Sequence, residues 1–179
     1  MNRVKTRLWI RTVILGILLG AVIYTIYTNI IHKDPNKTVV MADAEAPDFI
    51  LPNLNGDLVK LSDLRGKAVL VNFWGSWCGP CKREMPALQD SYNQYREHDF
   101  EVITINIEES NFAVENYFEE NNLSLPAVLD KEGQVYDAYG IYNLPASIFI
   151  KADGTVERTY IGEMSRGDID KWVKEILPK

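Results

Sequence analysis

The sequence predicts an α/β fold, a central mixed sheet flanked by helices, carried behind an apolar N-terminal segment. Three observations support this. Segments of strand length alternate with segments of helical period, and the run at 68–74, AVLVNFW, is continuously apolar, as in a strand buried on both faces. The last two strand candidates then form a hairpin-like pair ahead of a closing amphipathic helix.

Residues 1–11 carry Arg3, Lys5, Arg7 and Arg11 and no acid, and read as a cytoplasmic basic N-terminus. Residues 12–31, TVILGILLGAVIYTIYTNII, contain no charged side chain. A helix of this length spans ~30 Å, the thickness of a bilayer core, and the basic flank predicts the N-terminus inside and the remainder outside. A cleaved signal peptide is the competing reading. The apolar run is longer than an h-region of about 7 to 15 residues, however, and the nearest small-x-small site, Ala42 to Ala44, lies too far along. The sequence therefore predicts a single-pass signal anchor at the cell membrane. Residues 32–45 are polar, contain Pro35 and lack periodicity, so they read as a tether to a domain over 46–179.

Within that domain, Phe49-Ile50-Leu51 and Leu58-Val59-Lys60-Leu61 lie either side of Asn55-Gly56 and predict a small N-terminal hairpin. Residues 62–66 suggest a helical turn. After the strand at 68–74 a helix is expected, because Cys81, Met85, Leu88, Tyr92 and Tyr95 recur at steps of three and four, with Pro86 kinking it. Residues 101–107 read as a second buried strand and 111–121 as a helix. Strands follow at 127–129, 147–150 and, after the Asp153-Gly154 turn, 155–161. Ile169, Trp172, Val173 and Ile176 mark the terminal helix.

Composition excludes some functions. Setting aside the four basic residues before the apolar run leaves 15 Lys and Arg against 25 Asp and Glu, a formal charge of −10, which argues against nucleic-acid binding. Hydrophobic and charged fractions of 46% and 25% are ordinary for a folded domain.

The two cysteines carry the chemistry. Cys78 and Cys81 stand three residues apart at the start of a predicted helix, directly after a predicted buried strand. At that spacing their sulfurs can close a small ring that stabilises little but can be cycled between dithiol and disulfide. The helix N-terminus favours a thiolate, so Cys78 is the expected nucleophile and Cys81, one turn further in, the resolving thiol. Zinc usually needs four ligands, and only His32 and His98 could add imidazole. A Cu(I)-transfer or other non-catalytic metal-binding or assembly module remains the alternative from another class. No flavin, nicotinamide or metal signature is present, so no cofactor is expected.

The segment Val71-Asn72-Phe73-Trp74-Gly75-Ser76-Trp77-Cys78-Gly79-Pro80-Cys81-Lys82, with Pro86 after it, resembles the active-site segment of thioredoxin-like proteins. With the apolar N-terminus and Ala46-Pro47-Asp48-Phe49, the chain resembles the ResA and TlpA branch of extracytoplasmic thioredoxins over nearly its whole length. The resemblance implies a thioredoxin-like fold and a protein-disulfide reductase. It implies apocytochrome c as substrate, reduced at its haem-attachment cysteines during cytochrome c maturation. It further implies a membrane thiol shuttle of the CcdA or DsbD type as electron donor. The opening Ala46-Pro47-Asp48-Phe49 and Leu61-Ser62-Asp63-Leu64 also resemble peroxiredoxins, which leaves a thiol peroxidase as the rival, although Cys78 lacks the Pro-x-x-x-Thr/Ser-x-x-Cys setting of a peroxidatic cysteine.

The same resemblance assigns further residues. Cytosolic thioredoxins carry a buried Asp where this chain has Asn72, which cannot titrate, so another base is expected. Glu109, in Asn106-Ile107-Glu108-Glu109-Ser110 after the second strand, is the candidate, although an acid there also suits a helix start. Pro145 matches the cis proline that faces the disulfide in the family, with Leu144 offering backbone hydrogen bonds to an extended substrate. Trp77, Gly79 and Pro80 are expected at the contact surface. Ala146 stands where the family often has Thr, and Gly79 where ResA proteins carry an acidic residue.

Overall fold

A computed structural model describes residues 3–31 and 39–178, and within the first helix the side chains of Trp9 and of residues 11–25. The chain forms two units, 1–36 and 37–179. The first contains helix α1 (Arg3–Ile31), whose described apolar side chains, among them Leu15, Ile17, Leu19 and Ile23, are exposed. Among the described residues no helix is long and apolar enough to cross a membrane. The predicted span 12–31 continues past residue 25, so its last side chains, like residues 32–38 of the predicted tether, lie outside the described residues.

The second unit is the α/β domain. Its order is β1 (Ile50–Pro52), β2 (Leu58–Lys60), a 3-10 turn (Leu61–Leu64), β3 (Ala68–Trp74), α2 (Gly79–Tyr95), β4 (Phe100–Ile107), α3 (Asn111–Glu120), β5 (Ala127–Asp130), α4 (Gln134–Ala138), β6 (Ala146–Ile150), β7 (Val156–Ile161) and α5 (Arg166–Ile176). Strands β1 and β2 pair as the expected antiparallel hairpin. The other five form one sheet in the order β5-β4-β3-β6-β7. The β3–β4 and β4–β5 pairs are parallel, whereas β3–β6 and β6–β7 are antiparallel, so the sheet is mixed.

Alternation along β3 sorts the core into two layers. Ala68, Leu70 and Trp74 pack with Cys81, Met85 and Leu88 of α2, Val114 and Phe118 of α3, and Ile169 and Val173 of α5. Val69, Val71 and Phe73 face the other way, against Phe49, Leu51, Tyr139 and Ile141. Being buried on both faces is what makes the run 68–74 continuously apolar, with Asn72 the exception. Asn72 lies on the α2 side, opposite Ser147 of β6, and this register decides what it meets.

Three features differ from or extend the sequence reading. Helix α2 continues through Pro86, whose missing N–H leaves the Lys82 carbonyl without its intrahelical partner. The short helix α4 was not expected, because five residues with no buried side chain carry too little period to recognise. The end of the predicted tether is bound along the outer edge of β7: the Asp43 N–H donates to the Val156 carbonyl at 2.7 Å, and the Val156 N–H to the Ala44 carbonyl at 2.8 Å. Edge strands leave such groups unpaired unless another segment covers them.

Candidate active site

The strand-to-helix junction of β3 and α2 presents the cysteines. The chain turns at 75–77, where the Cys78 N–H donates to the Gly75 carbonyl at 3.0 Å, and Cys78 becomes the N-cap of α2 with Pro80 in the first turn. Proline suits that position because its absent N–H would have no helical partner there. Cys78 and Cys81 form a disulfide with S–S 2.07 Å and Cα–Cα 5.3 Å. Cys78 Sγ accepts the Cys81 N–H at 3.2 Å. That bond and the helix N-terminus would favour negative charge on the same sulfur once the bridge opens. Both cysteines are buried, Cys81 the more so, at 1% exposure against 6%.

Around them lie the other expected residues. Gly79 and Pro80 are exposed, and Trp77 is 68% exposed beside the disulfide. The Trp77 indole folds back over Gly75, where a Cβ would lie 2.7 Å from it. The Leu144–Pro145 peptide is cis, as the resemblance implies. Pro145 is buried and immediately precedes β6, whose Ala146 pairs with Phe73, so the proline turn and the cysteine turn occupy one edge of the sheet. The Pro145 carbonyl accepts the Gly162 N–H at 2.8 Å, and Leu144 packs partly buried between both core layers.

Glu109 reaches the cysteine turn from the end of β4. Its Oε2 accepts the Ser76 N–H at 2.6 Å and Asn106 Nδ2 at 2.7 Å, while its Oε1 accepts the Ser76 hydroxyl at 2.5 Å. The preceding residue, Glu108, has φ 55°, a left-handed conformation that swings the chain back so that Glu109 can turn toward Ser76. Glu109 thus engages the turn ahead of Cys78.

The structure adds a second carboxylate that the sequence reading missed. Glu84, one turn after Cys81 on the same helix, is 1% exposed. Its Oε1 accepts Asn72 Nδ2 at 2.8 Å, and its Oε2 the Met164 N–H at 2.6 Å. Asn72 Nδ2 also donates to Ser147 Oγ at 2.9 Å, the contact that the β3–β6 register sets up. Burial is the largest influence on Glu84 and pushes its pKa up to about 7, against the two hydrogen bonds that favour the ionised form. A signal was available: position 84 is three residues after Cys81 and four before Leu88, on the apolar stripe, where a glutamate must find a buried partner.

Comparison with known proteins gives a consistent picture. The model of the AhpC/TSA family matches residues 42–159. The thiol-disulfide oxidoreductase ResA of Geobacillus kaustophilus is 41% identical over 174 residues, which is 97% of this chain and 98% of that one. ResA of Bacillus subtilis is 38% identical over 174 residues, covering 97% of this chain and 96% of its own. Among solved structures, a thiol:disulfide interchange protein of the thioredoxin family from Chlorobium tepidum superposes with a TM-score of 0.69 at 28% identity, over 77% of this chain and 99% of that one. StoA from Bacillus subtilis superposes with a TM-score of 0.63, also at 28% identity, over 71% of this chain and 96% of that one.

Proposed function

Since the chain belongs to the AhpC/TSA family and, within it, to the ResA-type thiol-disulfide oxidoreductases, we propose that it works as a membrane-anchored extracytoplasmic reductase of protein disulfides, with apocytochrome c as its substrate. The observation that carries the mechanism is the placement of Cys78 at the N-cap of α2, its sulfur accepting the Cys81 N–H, with a buried carboxylate one turn beyond Cys81.

The reaction begins from the dithiol. The Cys78 thiolate attacks one sulfur of the substrate disulfide; that S–S bond breaks, a mixed disulfide forms, and the released substrate sulfur takes a proton. Cys81 then loses its proton to Glu84 and attacks Cys78 Sγ; the mixed disulfide bond breaks, the second substrate sulfur leaves as a thiolate that takes a proton in turn, and the Cys78–Cys81 disulfide remains. Two electrons pass to the substrate. A base whose pKa lies near 7 can both take and return a proton at neutral pH. Glu109 accepts the Ser76 N–H and hydroxyl and so holds the turn ahead of Cys78, where the resemblance assigns it a catalytic role. Leu144 and Pro145 align an extended substrate strand, and Trp77, Gly79 and Pro80 form the surface it meets.

Restoring the dithiol outside the cytoplasm needs an electron supply, which we assign to a membrane thiol shuttle of the CcdA or DsbD type. The anchor is residues 12–31, supported by an uncharged run behind four basic residues, with the N-terminus cytoplasmic and the catalytic domain outside. A thiol peroxidase has the match over 42–159 on its side; peroxide consumption by the reduced protein tests it.

The deciding experiment replaces Cys81 with Ala in the full chain and identifies the proteins that stay disulfide-linked to Cys78 in cells. Apocytochrome c joined through a haem-site cysteine supports the proposal. Capture of other envelope proteins alone overturns the substrate while keeping the chemistry.

A further inference from the structure

Two neighbouring residues of α2 hold two neighbouring residues of the loop between β7 and α5. Inside, Glu84 accepts the Met164 N–H at 2.6 Å. Outside, Arg83 grips Glu163: Nε lies 3.1 and 3.0 Å from the two carboxylate oxygens, and Nη2 2.5 Å from Oε2. The loop is fixed from a third side by the Gly162 N–H, which donates to the Pro145 carbonyl at 2.8 Å. Gly162 has φ 127°, a conformation that only glycine adopts readily. Residues 162–164 therefore tie together the cis-proline turn, the cysteine-bearing helix and the buried carboxylate. The guanidinium also borders the cysteine turn, since a Cβ on Gly79 would lie 3.7 Å from Arg83 Nη1.

The side chains of Arg83 and Glu163 are 62% and 37% exposed, and so open a pair adds little to stability. Its forked geometry does fix an orientation. We propose that Arg83 and Glu163 are positioning residues, a clamp that keeps the loop 162–164 seated so that the Met164 amide stays on Glu84, and that thereby sets the pH range in which the resolving thiol is served. The consequence for exchange rests on the reductase reading above, in which Glu84 takes the Cys81 proton.

The groups around Glu84 give this a definite sign. Asn72 from β3 and Ser147 behind it from β6 are neutral, Cys81 lies one turn earlier on α2 and is tied up in the disulfide, and the loop contributes the Met164 amide and the Glu163 carboxylate. The Glu163 charge opposes ionisation of Glu84, the Met164 hydrogen bond favours it, and Arg83 neutralises the former while securing the latter. Loss of Arg83 acts in one direction through both routes. Loss of Glu163 removes a repelling charge but also frees the loop, so its two effects oppose.

The test follows the Glu84 carboxyl by carbon NMR titration in the oxidised full chain in detergent, beside the pH profile for reduction of a synthetic Cys-x-x-Cys-His peptide disulfide. In Arg83→Gln the Glu84 midpoint rises by about half a unit, roughly a threefold change in proton affinity. In Glu163→Gln it moves less. The exchanged pair Arg83→Glu with Glu163→Arg rebuilds the fork in reverse and brings the midpoint back toward that of the unsubstituted protein. An unmoved midpoint in folded Arg83→Gln, or no recovery in the exchanged pair, overturns the clamp. Failure of the unsubstituted protein to reduce the peptide overturns the reductase reading instead, and the titration still decides the clamp.

Discussion

Asn72 Nδ2 lies 2.8 Å from Glu84 Oε1, a bond that joins the middle of β3 to α2 inside the layer that also holds Cys78 and Cys81. The strand position is fixed by sheet register and the helix position by the apolar stripe, so the two polar side chains meet where neither can reach water. An amide opposite a carboxylate leaves a single titrating group in this pair. In the proposed mechanism the proton of the resolving thiol is then taken up by a group on the helix rather than on the strand.

This arrangement makes stability depend on pH. Burial above all raises Glu84 from an ordinary carboxylate value to about 7. Below the unfolded value both states hold the proton and its contribution is fully present; as pH rises through the folded value the native state must ionise a buried acid, and the contribution is lost. Glu84→Gln keeps a neutral side chain, and Asn72 can turn its amide to remain bonded to it and to Ser147. We expect Glu84→Gln to match the parent protein near pH 4 and to exceed it by about 3 kcal/mol at pH 8, while slowing resolution of the mixed disulfide. Urea unfolding of the oxidised proteins at the two pH values checks the first part, and a pH-independent difference would count against it.

Glu109 can be separated into its contacts and its charge. In Glu109→Gln the amide oxygen can keep the Ser76 N–H and Asn106 bonds, and the new NH2 can donate to the Ser76 hydroxyl. Stability should change by under about 1 kcal/mol, whereas exchange with a peptide disulfide should slow by about tenfold or more if the carboxylate handles protons. Ser76→Ala should do the reverse, costing about 1 kcal/mol with less effect on the rate. Stopped-flow exchange and denaturant unfolding of both variants distinguish the two contributions; an unchanged rate in Glu109→Gln would confine Glu109 to holding the turn.

Much of this site was legible in the sequence, and the reasons differ by residue. The strand 68–74 and the stripe through Cys81, Met85 and Leu88 announce themselves because burial on two faces and on one face leave different periods. The cysteine pair needs only local spacing. Glu84 was hidden because its partners are remote in sequence: Asn72 lies 12 residues away and Met164 80. A glutamate in a helix ordinarily reads as a solvated side chain. Helix α4 and the tether end at Asp43 and Ala44 escaped for another reason, since their order comes from the surfaces they lie against and not from their own pattern.

Glu108 offers a test of backbone geometry. Its φ of 55° is costly for a side-chain-bearing residue, by roughly 1 kcal/mol, and more for a β-branched one. Glycine relieves that strain but adds freedom to the unfolded chain, so Glu108→Gly should be neutral or stabilising by up to about 1 kcal/mol. Glu108→Val should be destabilising by about 1 to 2 kcal/mol, and should loosen the hold of Glu109 on Ser76. Thermal unfolding of the two variants provides the measurement, and equal melting temperatures would show that the turn can relax out of the left-handed conformation.

Trp77 and Gly75 link the shape of the cysteine turn to the surface proposed to meet a substrate. The indole lies against the Gly75 Cα, and a methyl there would approach the ring to 2.7 Å, closer than real contacts allow. The ring is an exposed side chain and can swing away, so Gly75→Ala should cost little stability, about 1 kcal/mol or less. It should instead move the indole from its place over Gly75. We expect a changed Trp77 fluorescence, isolated by comparison with Trp77→Ala, and a raised KM for a peptide disulfide with kcat nearly kept, because a contact that only binds substrate acts alike in ground and transition states. A fall in kcat at constant KM would instead place the indole in the exchange step itself, acting on the transition state at Cys78.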